Sequence, residues 1–174
     1  MSAMKKGAIL GALQLLLVLS LSGKLLYERA TRPRVWVLAA TYDPELPIRG
    51  RYLSQRLQFP ADGFTYQQPD NRTLSDWFNN RQWAHLEVRE GKLIGTAQGS
   101  GPGQWVYLHR NVDGSVVAFS QEPVLVFIPE KADVPILKRG EEMWVEVTIP
   151  KKGPPRPIRV GMKRAGVLTP LEFR

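Results

Sequence analysis

The first 34 residues constrain this chain more than any other stretch. Lys5 and Lys6 precede the apolar run Gly7-Ala-Ile-Leu-Gly-Ala-Leu-Gln-Leu-Leu-Leu-Val-Leu19, which continues through Ser20-Leu-Ser-Gly23, meets Lys24 and fades at Leu25-Leu26-Tyr27. Each helical residue adds about 1.5 Å of rise, so crossing a bilayer core takes roughly 20 apolar residues. The run comes close to that length, and Lys24 can leave its carbons in lipid while its ammonium reaches the interface. The expectation is a short tail over 1–6, a transmembrane anchor bound to membrane lipid over 7–27, and a linker over 28–33. A cleaved signal peptide is the rival, since Ser20-Leu-Ser22-Gly23 loosely resembles an exit site. Its apolar stretch would normally span only about 7–15 residues, and here two more leucines follow. A buried core helix would need a polar face, and Gln14, Ser20 and Ser22 are too few to make one.

Flanking charge gives the anchor little direction. Lys5 and Lys6 lie on one side; Lys24, Arg29, Arg32 and Arg34, offset by Glu28, lie on the other. The bias toward cytoplasmic positive charge is nearly balanced. A very short leading tail favours keeping that tail in the cytoplasm, with the C-terminal part extracytoplasmic: periplasmic, or on the outer face of an inner membrane. The chain has no cysteine, which permits an oxidising compartment without requiring one.

Residues 34–174 are enough for one domain with its own core and too few for two. The formal charge of +8 suggests nucleic acid at first, but its distribution argues otherwise. Residues 33–150 carry 12 basic and 14 acidic side chains, and after Pro150 seven bases face one acid. A nucleic-acid binder would spread its bases over a folded face interleaved with aromatics, so none is expected as a partner. Bases near the anchor and at the C-terminal end suit anionic headgroups, or a solvated pair of strands.

The body reads as β structure. Arg34–Tyr42 is rich in β-branched and aromatic residues and ends at the turn former Asp43-Pro44. In 52–59, Leu53, Leu57 and Phe59 alternate with Ser54, Arg56 and Gln58, the two-residue period of a half-buried strand; Gln55 falls on the apolar face as an exception. Residues 83–89 and 92–97 flank Glu90-Gly91 as a hairpin, and 105–110 and 115–119 flank a turn containing Asp113-Gly114. Further strands are expected at 124–128 and 143–149, with a last pair, 158–162 and 167–173, around Gly166. Thr73-Leu-Ser-Asp76 offers a capping pattern for one short helix. Fourteen prolines and fifteen glycines between short runs fit an antiparallel barrel or a sandwich-like domain.

Catalytic chemistry is sparse. Without cysteine there is no thiol nucleophile and no thiolate zinc site. Only His85 and His109 can supply imidazole, each in an expected strand. His85 and Glu87 share a strand face about 7 Å apart, two potential metal ligands with no third in view. Ser54 and Ser120 have no base that sequence can place beside them, and the glycines of 99–103 lack the Lys-Ser/Thr and helix of a phosphate loop. Asp43, Glu45 and Arg49 share one loop and can form a polar cluster. Asn71-Arg-Thr73 is a glycosylation sequon, relevant only in a glycosylating pathway. No cofactor or metal is expected.

The stretch Asp43-Pro-Glu-Leu-Pro-Ile-Arg49-Gly50-Arg51-Tyr52-Leu53 resembles the bacterial membrane-anchored proteins named for a Gly-Asp-Tyr-x-x-Leu-x-Tyr motif. Asp43-Pro44, Arg49-Gly50 and Tyr52 match their turn and first tyrosine; Arg51, Gln55 and Leu57 stand where the family has aspartate, leucine and tyrosine. Val126-Phe-Ile-Pro-Glu130 and Val145-Glu-Val147 are similar to later family strands. The resemblance implies a membrane helix followed by a β domain in the cell envelope, and no particular activity. It makes Asp43, Arg49, Gly50 and Tyr52 the candidate binding residues. Two functions follow as expectations. One is a non-enzymatic envelope protein whose tethered domain binds another component, such as a membrane protein. The other is a tethered hydrolase built from carboxylates with His85 or His109. An enzyme should gather a histidine and acids in a concave site, whereas a binding module should expose an apolar or aromatic patch.

Overall fold

In the computed structural model of the chain, the residues described are 3–41, 52–67, 80–129 and 137–172. The chain divides into two units, Met1–Arg32 and Pro33–Arg174. The first is a single helix, α1 (Ala3–Thr31), apolar on all sides and long and apolar enough to cross a membrane. It runs beyond the expected 7–27 at both ends and takes in most of the expected linker. Its end is chemically marked. The Thr31 hydroxyl donates to the Tyr27 carbonyl at 2.8 Å, and the Arg32 N–H closes the last turn on Glu28 at 3.0 Å. Pro33 then has no N–H with which to continue.

The second unit is β structure throughout its described residues: β1 (Arg34–Thr41), β2 (Tyr52–Asp62), β3 (Arg81–Arg89), β4 (Lys92–Thr96), β5 (Gly103–Arg110), β6 (Val116–Ser120), β7 (Val124–Phe127), β8 (Glu142–Thr148), β9 (Arg156–Arg164) and β10 (Val167–Pro170). The long strand β2 organises it. One edge of β2 pairs with β1 through Gln55–Gln58 and then, in parallel, with β4 through Ala61 and Asp62. Its other edge pairs with β7 through Tyr52–Gln55 and then with β6 through Gln58–Pro60. Strands β2, β4, β3, β5 and β6 therefore close into a five-stranded barrel, with β6 returning to β2. Closure removes the free edges that invite aggregation. The remaining strands extend from β1 as an antiparallel sheet, β1-β8-β9-β10. The outermost, β10, is short and ends at a proline that cannot donate to another chain.

Local chemistry explains the turns. Glu90 and Gly91 both take positive φ (52° and 73°), as do Ala165 and Gly166 (46° and 83°). Each pair joins strands whose flanking residues are in register, Arg89 with Lys92 and Arg164 with Val167. Two positive-φ residues match the twist of adjoining antiparallel strands. The hydrophobic core is continuous and mostly aliphatic, with Leu57, Val106, Ala118, Val145, Val147 and Val160 almost wholly enclosed. It lies entirely within the second unit.

The expected β barrel or sandwich-like domain is thus a closed barrel with extra strands. The expected helix near Thr73, the sequon at Asn71, and Asp43, Glu45, Arg49 and Gly50 lie outside the described residues.

Candidate functional site

Phe59 is the only aromatic residue in the buried core among the described residues. The other aromatics of the barrel strands stand outward, because strand alternation turns them there. On β5, Gln104, Val106 and Leu108 are buried while Trp105 and His109 are exposed. On β3, Ala84 and Leu86 point in while Arg81 and Trp83 point out.

Register then assembles an outer surface. Trp83 lies opposite Trp105 and Arg81 opposite Tyr107; Tyr107 lies opposite Phe119, and Phe119 opposite Gln58. The two indoles meet edge to face, with centroids 5.6 Å apart and planes at 84°, a favoured aromatic geometry. Trp83 is 44% exposed and Trp105 43%. The Arg81 guanidinium carbon sits 4.4 Å from the Trp105 ring centre, and its Nε donates to the Gln121 amide oxygen at 2.7 Å. The Gln121 N–H in turn donates to the Trp105 carbonyl at 3.0 Å. Arg56 lies 5.9 Å from the Tyr107 ring centre, and His109 meets Phe119 edge-on at 6.2 Å. Gly103 fixes the pose of Trp83: a Cβ there would come within 2.7 Å of its indole nitrogen, so only glycine lets the ring lie across β5.

A second exposed pair contains the sequence candidate Tyr52. It faces Phe127 across β2 and β7, edge to face at 5.6 Å, with Leu125 on the same outer face. Phe127 is 62% exposed. Trp36 and Trp144 form a third group whose charges are matched within the sheet. Arg159 lies over Trp36 and pairs with Glu146 at 2.7 Å; Lys163 lies over Trp144 and pairs with Glu142 at 3.6 Å.

The histidines do not converge. His85 is in register with Gly103, six residues from His109 on β5, which separates them by about 20 Å along the strands. Glu87, the proposed companion of His85, is paired with Arg89. No group of three potential metal ligands occurs among the described residues. Ser120 is structural: fully buried, its hydroxyl accepts the Leu57 N–H at 2.9 Å. That bond spans the gap where β2 passes from pairing with β7 to pairing with β6. Gln55, the exception on the apolar face, is buried at 2% exposure, and its side-chain oxygen accepts no hydrogen bond among the described residues.

Reading the sequence alone missed the Trp83–Trp105 surface because it placed the two residues in separate hairpins. Their outward parity was readable; the pairing of β3 with β5 was not. The chain is similar to no family model, no curated protein and no solved structure.

Proposed function

We propose that this is a single-pass membrane protein whose β domain is held outside the cytoplasm by α1 and binds another envelope component without catalysing a reaction. The observation that carries this reading is the paired, half-exposed Trp83 and Trp105 with Arg81 over one ring. Tryptophan, tyrosine and arginine are enriched among the residues that dominate protein interfaces: the aromatics bury large areas at small entropic cost, and arginine adds a charge and a planar group that stacks on rings. A protein partner seated on β3 and β5 would cover both indoles and use Arg81 as a charged anchor. The length and apolarity of α1 support the tether, and the resemblance of residues 43–53 to membrane-anchored envelope proteins points the same way. Glu87, the carboxylate beside His85, is paired with Arg89, which speaks against a tethered hydrolase built on that histidine.

The test is cross-linking and capture from intact membranes with the wild-type chain and a Trp83→Ala/Trp105→Ala variant. A partner retained by the wild type should fall on the order of ten-fold or more in the variant. Equal capture by the two would overturn the assignment of this surface. Reporter fusions at the C-terminus test the orientation, and activity only from a reporter that works in the cytoplasm would overturn it. Replacing both histidines is expected to leave the phenotype unchanged, and a lost phenotype with an intact fold would restore the hydrolase reading.

A further inference from the structure

The basic excess after Pro150 is not spread evenly once the chain is folded. Arg159, Lys163 and Arg164 pair with Glu146, Glu142 and Glu141 at 2.7, 3.6 and 2.9 Å. These bases of β9 are therefore matched by acids of β8 and the residue before it. Lys151 and Lys152 are different. They lie in the β8–β9 connection, Pro150-Lys-Lys-Gly-Pro-Pro155, are exposed, and make no hydrogen bond or ion pair among the described residues.

The backbone pairing says which end of the domain carries them. The Ile149 N–H donates to the Pro33 carbonyl at 3.4 Å. Arg34 is in register with Thr148, and Thr148 with Arg156. The β8–β9 connection therefore lies at the end of the domain where the chain enters, and the exposed Arg34 and Arg156 lie there too. Arg34 and Arg156 have interactions of their own and Glu28 lies just before the entry strand, so the charge that counts at this end is that of Lys151 and Lys152, with no acidic residue in 147–171 beside them. The connection is also stiff. Three of its residues are prolines, Pro155 is buried, and Gly153 takes a φ of 89°. Its two lysines are presented from a backbone with little freedom left to lose.

We propose that this end of the domain, centred on Lys151 and Lys152, docks on the anionic phospholipid headgroups of the bilayer that α1 spans. The inference rests on the reading of α1 as a membrane anchor. Only Arg32 separates the last residue of α1 from Pro33, so a spanning α1 delivers the entry end of the domain to the headgroup layer. Near an anionic surface each lysine shifts the docked-to-free ratio on the order of five-fold, an attraction that salt screens within about a Debye length. Docking at this end would give the domain a fixed attitude on the membrane rather than leave it swinging on its tether.

The chain has no cysteine, so Pro154→Cys in the full-length protein supplies a single thiol for an environment-sensitive fluorophore. The labelled protein is reconstituted into phosphatidylcholine vesicles with or without phosphatidylglycerol and quenched with neutral acrylamide. Acrylamide quenching should fall about two-fold or more in the anionic vesicles, return with added salt, and return in a Lys151→Glu/Lys152→Glu variant. Flotation with both vesicle types reports separately on the anchor. Equal quenching in floating protein of either composition, or protection that survives the double charge reversal, overturns the docking surface while leaving the anchor standing. Failure to float in either composition overturns both.

Discussion

Ser120 shows how one side chain can replace a missing strand. Its hydroxyl takes the Leu57 N–H between the residues of β2 that pair with β7 and those that pair with β6, so Ser120→Ala should orphan a buried donor. The expected loss is about 1–3 kcal/mol in urea unfolding, and a change within error would show that another acceptor can serve. Gln55 is the opposite case, a buried polar group whose oxygen is left without a bond among the described residues. Gln55→Leu should therefore stabilise by about 1–2 kcal/mol, read as a higher urea midpoint at unchanged slope. The sequence marked both residues, Gln55 as a break in alternation and Ser120 as a serine without a catalytic partner. It could not supply their roles, because each depends on which strands lie alongside β2.

At the scale of elements, the best-read parts are those with local causes. Glu90-Gly91 predicts the β3–β4 hairpin because two positive-φ positions suffice to set it. The β5–β6 connection is set equally locally. The Asn111 N–H donates to the Ser115 carbonyl at 2.8 Å, and Asp113 Oδ1 accepts from the Ser115 hydroxyl at 2.6 Å and the Ser115 N–H at 2.9 Å. Those two bonds, the hydroxyl first, hold the Asp113 carboxyl below its ordinary 3.8. A carboxylate with a lowered folded value stabilises the turn above the unfolded value and loses that contribution as pH falls through the lowered one. An NMR titration should place the Asp113 midpoint below 3.8, with Ser115→Ala moving it back up; an unmoved midpoint would remove the hydroxyl as the cause. The pairings of β2 with β4, β6 and β7 were not legible, because they join residues tens of positions apart and no local pattern encodes such partners. Charge was misleading for the same reason: the bases of β9 look unopposed in sequence and meet the acids of β8 only across a strand pair.

For the whole molecule, the division at Pro33 has a direct consequence for stability. Every residue of the core cluster belongs to the second unit. Removing residues 1–32 should therefore leave a folded domain with a thermal midpoint within a few degrees of the full chain in detergent. A collapse of the midpoint would mean that the helix contributes to the fold as well as to its location. The broad architecture, one apolar helix and then a β domain, was legible because hydropathy and alternation are both periodic signals. Barrel closure and the outer aromatic surface were not, because both arise from the order of strands around the ring. The aliphatic interior has a further, optical consequence. With Trp36, Trp83, Trp105 and Trp144 all outside the buried core, indole emission from these four residues reports on the surface and only weakly on the packing beneath it. A ligand covering Trp83 and Trp105 should shift the spectrum more than modest loosening of the core does. When the protein unfolds in a single step, fluorescence and backbone circular dichroism must still give coincident transitions, the outward indoles changing only the size of the optical signal, so a mismatch between the two would reveal an intermediate with a loosened surface.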